Sequence, residues 1–363
     1  MSDISTVKAA LDTPALLLDL DVLEANIANV AQSCRAHGVS WRPHFKGHKT
    51  LEIARKQLAA GAIGITCAKL GEAEILASGG IRDILIANQI VGAAKLARLM
   101  ALMNAADPIV SVDGRENVTE LGEAARRGGK TLRVVIEVNT GMNRAGVPPG
   151  PPVVALATVI AGQPNLKLVG VMGWEAHVTA IADPAAKEKA VAAAIELLTS
   201  SAEQCRAAGH DIRIVSCGGT GTFLYCVKQP GITEVQVGGA VMNDEHYRWH
   251  YNIDMPFSLT ILATVTSRPT ATRVILDAGR KAMSIETAVP RALDVPAVRE
   301  LRLSAEHAQL ELESPNELPR VGDKVELVPG YTDTTVHLHE EIVAFRGGSV
   351  EAVWKVAGRG KIK

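Results

Sequence analysis

Along the first two thirds of the chain, short β-branched and aliphatic runs alternate with longer Ala- and Leu-rich stretches whose apolar positions recur at helical spacing. The runs fall at 40–44, 64–67, 84–87, 109–112, 132–138, 168–173, 213–217 and 234–237. Each is followed by a helix-like or loop segment, and eight such units is the number that closes a (β/α)8 barrel. A doubly wound sheet also tolerates the alternation, but no reversal point is visible, so the barrel is the expected form. Ahead of it lie an apolar strand at 15–20 and a helix at 22–37, in which Leu23, Ile27, Val30 and Cys34 share one face. After about Pro256 the period changes to two, with runs at 258–265, 272–277, 309–313, 324–328, 341–345 and 350–356 separated by Gly, Pro and Asn turns. The expected fold is therefore α/β: a TIM-like barrel over residues 21–250 and a mainly antiparallel β domain from residues 1–20 and 251–363. Residues 146–152, GVPPGPP, read as a stiff surface loop.

Composition narrows the partners. Hydrophobic residues make up 47% of the 363 positions but aromatics only 3%, so Ala, Val, Leu and Ile must fill the core, as they do in helix-covered parallel sheets. Lys plus Arg, 38, nearly cancels Asp plus Glu, 39, and no basic run stands out, which argues against nucleic acid and an anionic membrane surface. A small-molecule substrate is expected. The cysteines Cys34, Cys67, Cys205, Cys217 and Cys226 are odd in number and form no C-x-x-C, so they read as buried small hydrophobes, not as disulfides or a zinc ribbon. No signal-peptide pattern and no apolar stretch of about 18 residues is present, so a soluble, cytoplasmic protein is expected.

In a barrel of this kind chemistry gathers where strands end. The first run ends in Arg42-Pro43-His44-Phe45-Lys46-Gly47-His48-Lys49, with five basic or imidazole side chains in eight positions. A solvated loop would show the same composition. Proline and an aromatic residue, however, fix and partly bury the stretch, and a shielded amine beside other cations becomes a nucleophile able to form a Schiff base. The fifth run delivers Arg144, whose planar fork suits a carboxylate or phenolate, although such arginines also cap helices. The sixth delivers Trp174-Glu175-Ala176-His177, where His177 is either structural or a base beside a carboxylate. The seventh leads into Ser216-Cys217-Gly218-Gly219-Thr220-Gly221-Thr222. That segment is either a tight βα turn or a cradle of backbone N–H groups for a phosphate, and its place between strands seven and eight favours the phosphate. Without the Lys-Ser/Thr ending of a P-loop, a cofactor phosphate fits better than a nucleoside triphosphate, with Gly238-Gly239 completing the cradle. In the β domain, the segment from Pro329 to Glu340 gathers Tyr331, Asp333, His337 and His339. Alternation along an extended segment would put the first two on one face and the last two on one face further along.

The segments RPHFKGHK, ITCAKLGEAE, GMNRAG, CGGTGTF, EVQVGG, LDAGRKAMS and WKVAGRG together resemble the D-threonine aldolase and D-serine dehydratase family, which has the alanine-racemase-like fold of pyridoxal-phosphate enzymes. The likeness runs in order from about Asp12 to Gly360. It implies that Lys46 is the Schiff-base lysine and that Gly219, Thr220, Gly221, Gly238 and Gly239 hold the pyridoxal 5'-phosphate. It also places Arg144 near the cofactor ring, and His44 and Ser216 complete the candidate cofactor-binding set. A homodimer is implied, its active site completed by the partner's β domain.

The resemblance further implies a divalent metal bound by a Pro-x-His-x-Asp or Pro-x-His-x-Cys segment, with Asp in aldolases and Cys in dehydratases. This chain reads Pro329-Gly330-Tyr331-Thr332-Asp333, so the candidate ligands are Asp333 and Tyr331. Asp333 leans towards the aldolases and towards Mn²⁺ or Mg²⁺, whereas Tyr331 breaks the pattern, because a phenol replaces an imidazole poorly unless the metal ionises it. Otherwise the metal would be weakly held, ligated through His337 or His339, or absent.

The implied activity is cleavage of the Cα–Cβ bond of a 3-hydroxy-D-amino acid into glycine, or another small amino acid, and an aldehyde. The catalytic set would be Lys46, Arg144 and His177, with His177 or a metal-bound water as base. The alternatives are β-elimination to a 2-oxo acid and ammonia, racemisation, for which no second base can be named, and a non-catalytic cofactor carrier of the same fold. Trp174 and Tyr331 are the residues expected to line the pocket for the group on Cβ.

Overall fold

The computed structural model describes residues 7–363. The chain first forms β1 (Ala15–Asp19) and the helix Leu20–Ala36, which starts where the Asp19 carboxylate accepts the N–H groups of Asp21 and Val22. Eight parallel strands follow: β2 (Ser40–Trp41), β3 (Ile65–Cys67), β4 (Asp83–Gln89), β5 (Asp107–Val112), β6 (Leu132–Glu137), β7 (Leu166–Met172), β8 (Ile214–Cys217) and β9 (Glu234–Val235). All eight sequence runs thus form strands of one sheet. The first is shorter than expected because Pro43 carries no N–H for a ladder.

The order along this sheet is β2-β9-β8-β7-β6-β5-β4-β3, and its two ends meet where His44 pairs in parallel with Thr66, so the sheet curls on itself. Aliphatic residues fill it: Leu85, Ile109, Val135, Val169 and Met172 form one buried cluster. Residues 146–152 are not loop throughout, because Pro151 and Pro152 open the helix Pro151–Ala161, where a missing N–H costs nothing.

The remaining strands are β10 (Leu259–Thr270), β11 (Arg273–Leu276), β12 (Arg291–Ala292), β13 (Val298–Leu303), β14 (Ala308–Leu312), β15 (Lys324–Val328), β16 (Glu341–Arg346) and β17 (Ser349–Lys355). With β1 they make a nine-stranded sheet whose main path is β13-β14-β11-β10-β1-β16-β17. Pairing is antiparallel apart from β1 against β16, which runs parallel, Leu17 opposite Val343. The sheet is therefore mixed though mainly antiparallel.

The chain divides into two compact units, each built from several segments. One comprises the described part of Met1–Ala28, Gly47–Glu52 and Gly239–Arg359; the other comprises Asn29–Lys46, Ile53–Gly238 and Gly360–Lys363. Among the described residues no helix is long and apolar enough to cross a membrane.

Candidate active site

In the barrel unit, Arg42 anchors the segment that leads to Lys46. Its Nε lies 3.1 and 3.2 Å from the two carboxylate oxygens of Glu234, and its Nη1 lies 2.5 Å from Asp83 Oδ1. Arg42 and Glu234 are both buried. Trp41 Nε1 donates to the Val237 carbonyl at 2.8 Å, tying the same stretch to the end of β9. Thr66 Oγ1 donates to the Arg42 carbonyl, and the Lys46 N–H donates to His44 Nδ1 at 3.3 Å. Lys46 and His44 are half-buried on a backbone held from two sides.

Gly238 is part of that hold: a Cβ there would lie 2.3 Å from the His44 carbonyl oxygen, so no larger residue permits this approach of the two backbones. The loop after β8 is equally constrained. Thr222 and Phe223 donate their N–H groups to the Gly219 carbonyl, Gln236 donates its N–H to the carbonyls of Cys217 and Gly218, and Gln236 Nε2 donates to Ser216 Oγ at 2.9 Å. Trp174 lies against Gly219, where a Cβ would be 2.3 Å from its ring. Ser216, Thr220 and Gly221 are buried around this turn.

Arg144 and His177 border one turn. Arg144 is exposed, with Nη2 3.9 Å from Glu137 Oε1, while the opposite oxygen of the buried Glu137 accepts from Gln89 Nε2 at 2.7 Å and Ser111 Oγ at 3.3 Å. The exposed His177 ring lies on Gly141, whose missing Cβ would stand 2.6 Å from Nε2. Sequence reading did not single out Gln89, Ser111 or Glu137; the signal available was that each sits in or at the end of a barrel strand.

Glu175 does not serve His177. It is fully buried, its Oε1 accepts from the Thr222 hydroxyl and from Cys226 Sγ at 3.3 Å, and its Oε2 has no partner. Burial pushes its carboxyl above the usual range. All five cysteines are buried and free, but Cys226 is also a polar partner, which its reading as a plain hydrophobe missed. Thr222 and Cys226 stand four apart on a short helical stretch, the spacing that would have paired them. Glu175, Cys217 and Cys226 are the grouped metal-ligand types among the described residues, and burial raises both thiols.

A raised carboxyl gives stability a definite pH sign. The unfolded chain deprotonates this group first, from near 4.5, so the stability that Glu175 contributes is fully present below that pH and is lost as pH rises towards the folded value. Glu175→Gln keeps the shape and cannot ionise. Thermal melts between pH 4 and pH 8 should therefore show a shallower alkaline decline for the variant, whereas parallel curves would mean that Glu175 is not protonated in the fold.

In the β unit, Asp244 caps the helix Glu245–Tyr251 by accepting the Tyr247 N–H, and its other oxygen accepts the Thr332 N–H, both at 2.7 Å. This second bond fixes Thr332–Thr335 as a helical turn, continued by a 3-10 turn at Val336–Leu338, so the expected extended segment is not formed. Tyr247 is buried, and Gly239 makes room for its ring: a Cβ there would meet the phenol oxygen at 2.5 Å. The Tyr247 hydroxyl donates to Asp333 Oδ1 at 3.2 Å. Burial and the neighbouring Asp333 push the Tyr247 phenol well above its usual range. Tyr331 packs edge-on against Tyr247 at 5.6 Å and His246 at 4.9 Å, and burial holds His246 down to about 4, hence neutral.

This arrangement does not fit a divalent metal. Asp333 Oδ1 already accepts the Tyr247 phenol, and a Cβ on Gly47 would lie 2.8 Å from the same oxygen. His339 Nε2 sits 2.7 Å from the Ala282 carbonyl, and the exposed His337 has Nδ1 3.4 Å from the Asp333 carbonyl.

A family model for the N-terminal domain of alanine racemase matches residues 18–245, and one for a putative serine dehydratase domain matches residues 258–345. The chain is 35% identical to D-threonine aldolase from Arthrobacter sp, with 97% of this chain and 94% of the relative covered. It is 34% identical to 3-hydroxy-D-aspartate aldolase from Paracoccus denitrificans strain Pd 1222, with 98% and 94% covered. It is 33% identical to D-threo-3-hydroxyaspartate dehydratase from Delftia sp. strain HT23, with 77% and 75% covered. Among solved structures, D-threonine aldolase from Filomicrobium marinum superposes with a TM-score of 0.96 at 33% identity, covering all of both chains.

Proposed function

The chain belongs to the D-threonine aldolase and D-serine dehydratase family, and from that membership we propose a pyridoxal-phosphate-dependent lyase that splits the Cα–Cβ bond of a 3-hydroxy-D-amino acid into glycine, or another small amino acid, and an aldehyde. The observation that carries the aldolase reading is the end-to-end likeness to two aldolases of different substrate, each matched over nearly the whole chain. Pyridoxal phosphate, once bound, supplies the electron sink for the pair left when that bond breaks.

The residues present fit the cofactor: the turn at 218–222 offers backbone N–H groups and the buried Thr220 to a phosphate. Lys46 would hold the cofactor covalently, fixed by the Arg42–Glu234 anchor beneath it. Arg144, with Nη2 3.9 Å from Glu137, would orient an anionic oxygen through its fork. His177 would take the β-hydroxyl proton, an exchange that an imidazole carries out more often than any other side chain. Trp174, seated on Gly219, would limit the group on Cβ. A cytoplasmic homodimer acting on a free amino acid is the setting that we infer.

The test is incubation of the holoenzyme with D-threonine, 3-hydroxy-D-aspartate, D-phenylserine and D-serine, with aldehyde, glycine, 2-oxo acid and ammonia assayed separately. Aldehyde and glycine in equal amounts are expected. Oxo acid with ammonia would replace this reading by the dehydratase one, which the likeness to the Delftia protein keeps as the alternative.

A further inference from the structure

The motif in which family members hold a divalent cation reads Pro329-Gly330-Tyr331-Thr332-Asp333 in this chain, with a phenol where the imidazole belongs. A neutral imidazole offers a lone pair at no cost, whereas a phenol must first lose its proton. Tyr331 is clamped by the rings of His246 and Tyr247, which meet it edge-on at interplanar angles of 64° and 82°. Asp333, the second donor, has one oxygen engaged by the Tyr247 hydroxyl and seated on Gly47. The helical turn that carries both residues is tied by the Thr332 N–H to Asp244 and by the Thr335 hydroxyl to the Tyr331 carbonyl at 2.8 Å, so the pair cannot be re-aimed without breaking that turn.

We propose that this chain has lost the cation site of its family and that Tyr331, Tyr247 and Asp333 form in its place a cluster satisfied by contacts within the protein, so that its lyase works without a divalent metal. The place of the site rests on family membership, but the proposal does not depend on which substrate is cleaved. Substitution at one position, Tyr331, accounts for the loss, because the carboxylate and the turn geometry remain.

The experiment is titration of EDTA-treated holoenzyme with Mn²⁺, with free Mn²⁺ followed by electron paramagnetic resonance, for the wild type, Asp333→Asn, Tyr331→His and the double variant Tyr331→His/Asp333→Asn. The wild type should bind no more Mn²⁺ than Asp333→Asn. Tyr331→His should gain one equivalent, at least ~10-fold tighter, and should lose it again when Asp333 is also changed. Circular dichroism and the visible cofactor band confirm that the variants are folded and loaded. Stoichiometric Mn²⁺ on the wild type, lost in Asp333→Asn, would overturn the proposal, as would a folded Tyr331→His that gains nothing. EDTA should leave turnover unchanged, and a loss restored by Mn²⁺ would overturn it too. If no substrate is cleaved, the functional reading fails while the Mn²⁺ titration still decides this one.

Discussion

Lys46→Ala should leave a folded chain that has lost its covalently held cofactor and on the order of 10⁴-fold or more of its turnover, the scale seen when a covalent catalytic group is removed. Borohydride reduction of the wild type should fix pyridoxal phosphate irreversibly to one tryptic peptide containing Lys46, and no label should appear in the variant. The two readouts fail differently. Retained label on another lysine would displace Lys46 from its role, whereas loss of label with unchanged turnover would sink the idea that the bond to the cofactor matters. Structural collapse is not the expected cause, since Lys46 is only half-buried and the stretch is anchored by Arg42 and Trp41.

The anchor itself carries the second large effect. Arg42 and Glu234 have side chains only 3% and 2% exposed, and truncating one partner strands the other's charge in a medium that solvates it poorly. Glu234→Ala should therefore cost about 3–5 kcal/mol, read as a lower urea midpoint at unchanged slope. Asp83 remains as a second acceptor for Arg42, but it is 41% exposed and cannot replace a buried carboxylate. A destabilisation below about 1 kcal/mol would mean that Arg42 relaxes to solvent, and the rigid path from β9 to Lys46 would have to be abandoned.

The barrel was legible because its strands are buried on both faces and read as unbroken aliphatic runs, which survive without knowledge of any partner. Strand β13, Val298–Leu303, was not: its sequence VRELRL is half charged, and it becomes a strand only by pairing with Ala308–Leu312. The segment after Pro329 failed for a similar reason. Tyr and Thr favour extended backbone locally, yet a carboxylate 88 positions earlier, Asp244, captures the Thr332 N–H and winds the stretch into a turn. Glu175 was seen in its motif but assigned the wrong neighbour, since a histidine two positions on says nothing of a threonine and a cysteine 47 and 51 residues later. The glycines at 219, 238 and 239 were read as a cradle for a phosphate from their spacing alone. That Trp174, His44 and Tyr247 occupy the space above them was not.

Strand β1 has a consequence for how the molecule is made. Leu16, Leu17 and Leu18 are completely buried between β10 and β16, and neither neighbour exists until more than two thirds of the chain has been synthesised. At translation speeds of roughly 5–20 residues per second, this leucine-rich strand waits on the order of ten seconds or longer beside a growing polypeptide that cannot yet shelter it. The nine-stranded sheet is thus assembled by late, long-range closure, which makes its folding slow relative to the barrel's neighbour-by-neighbour pairing. During nascent growth, the segment most exposed to misassociation is one that lies in the interior of the finished sheet.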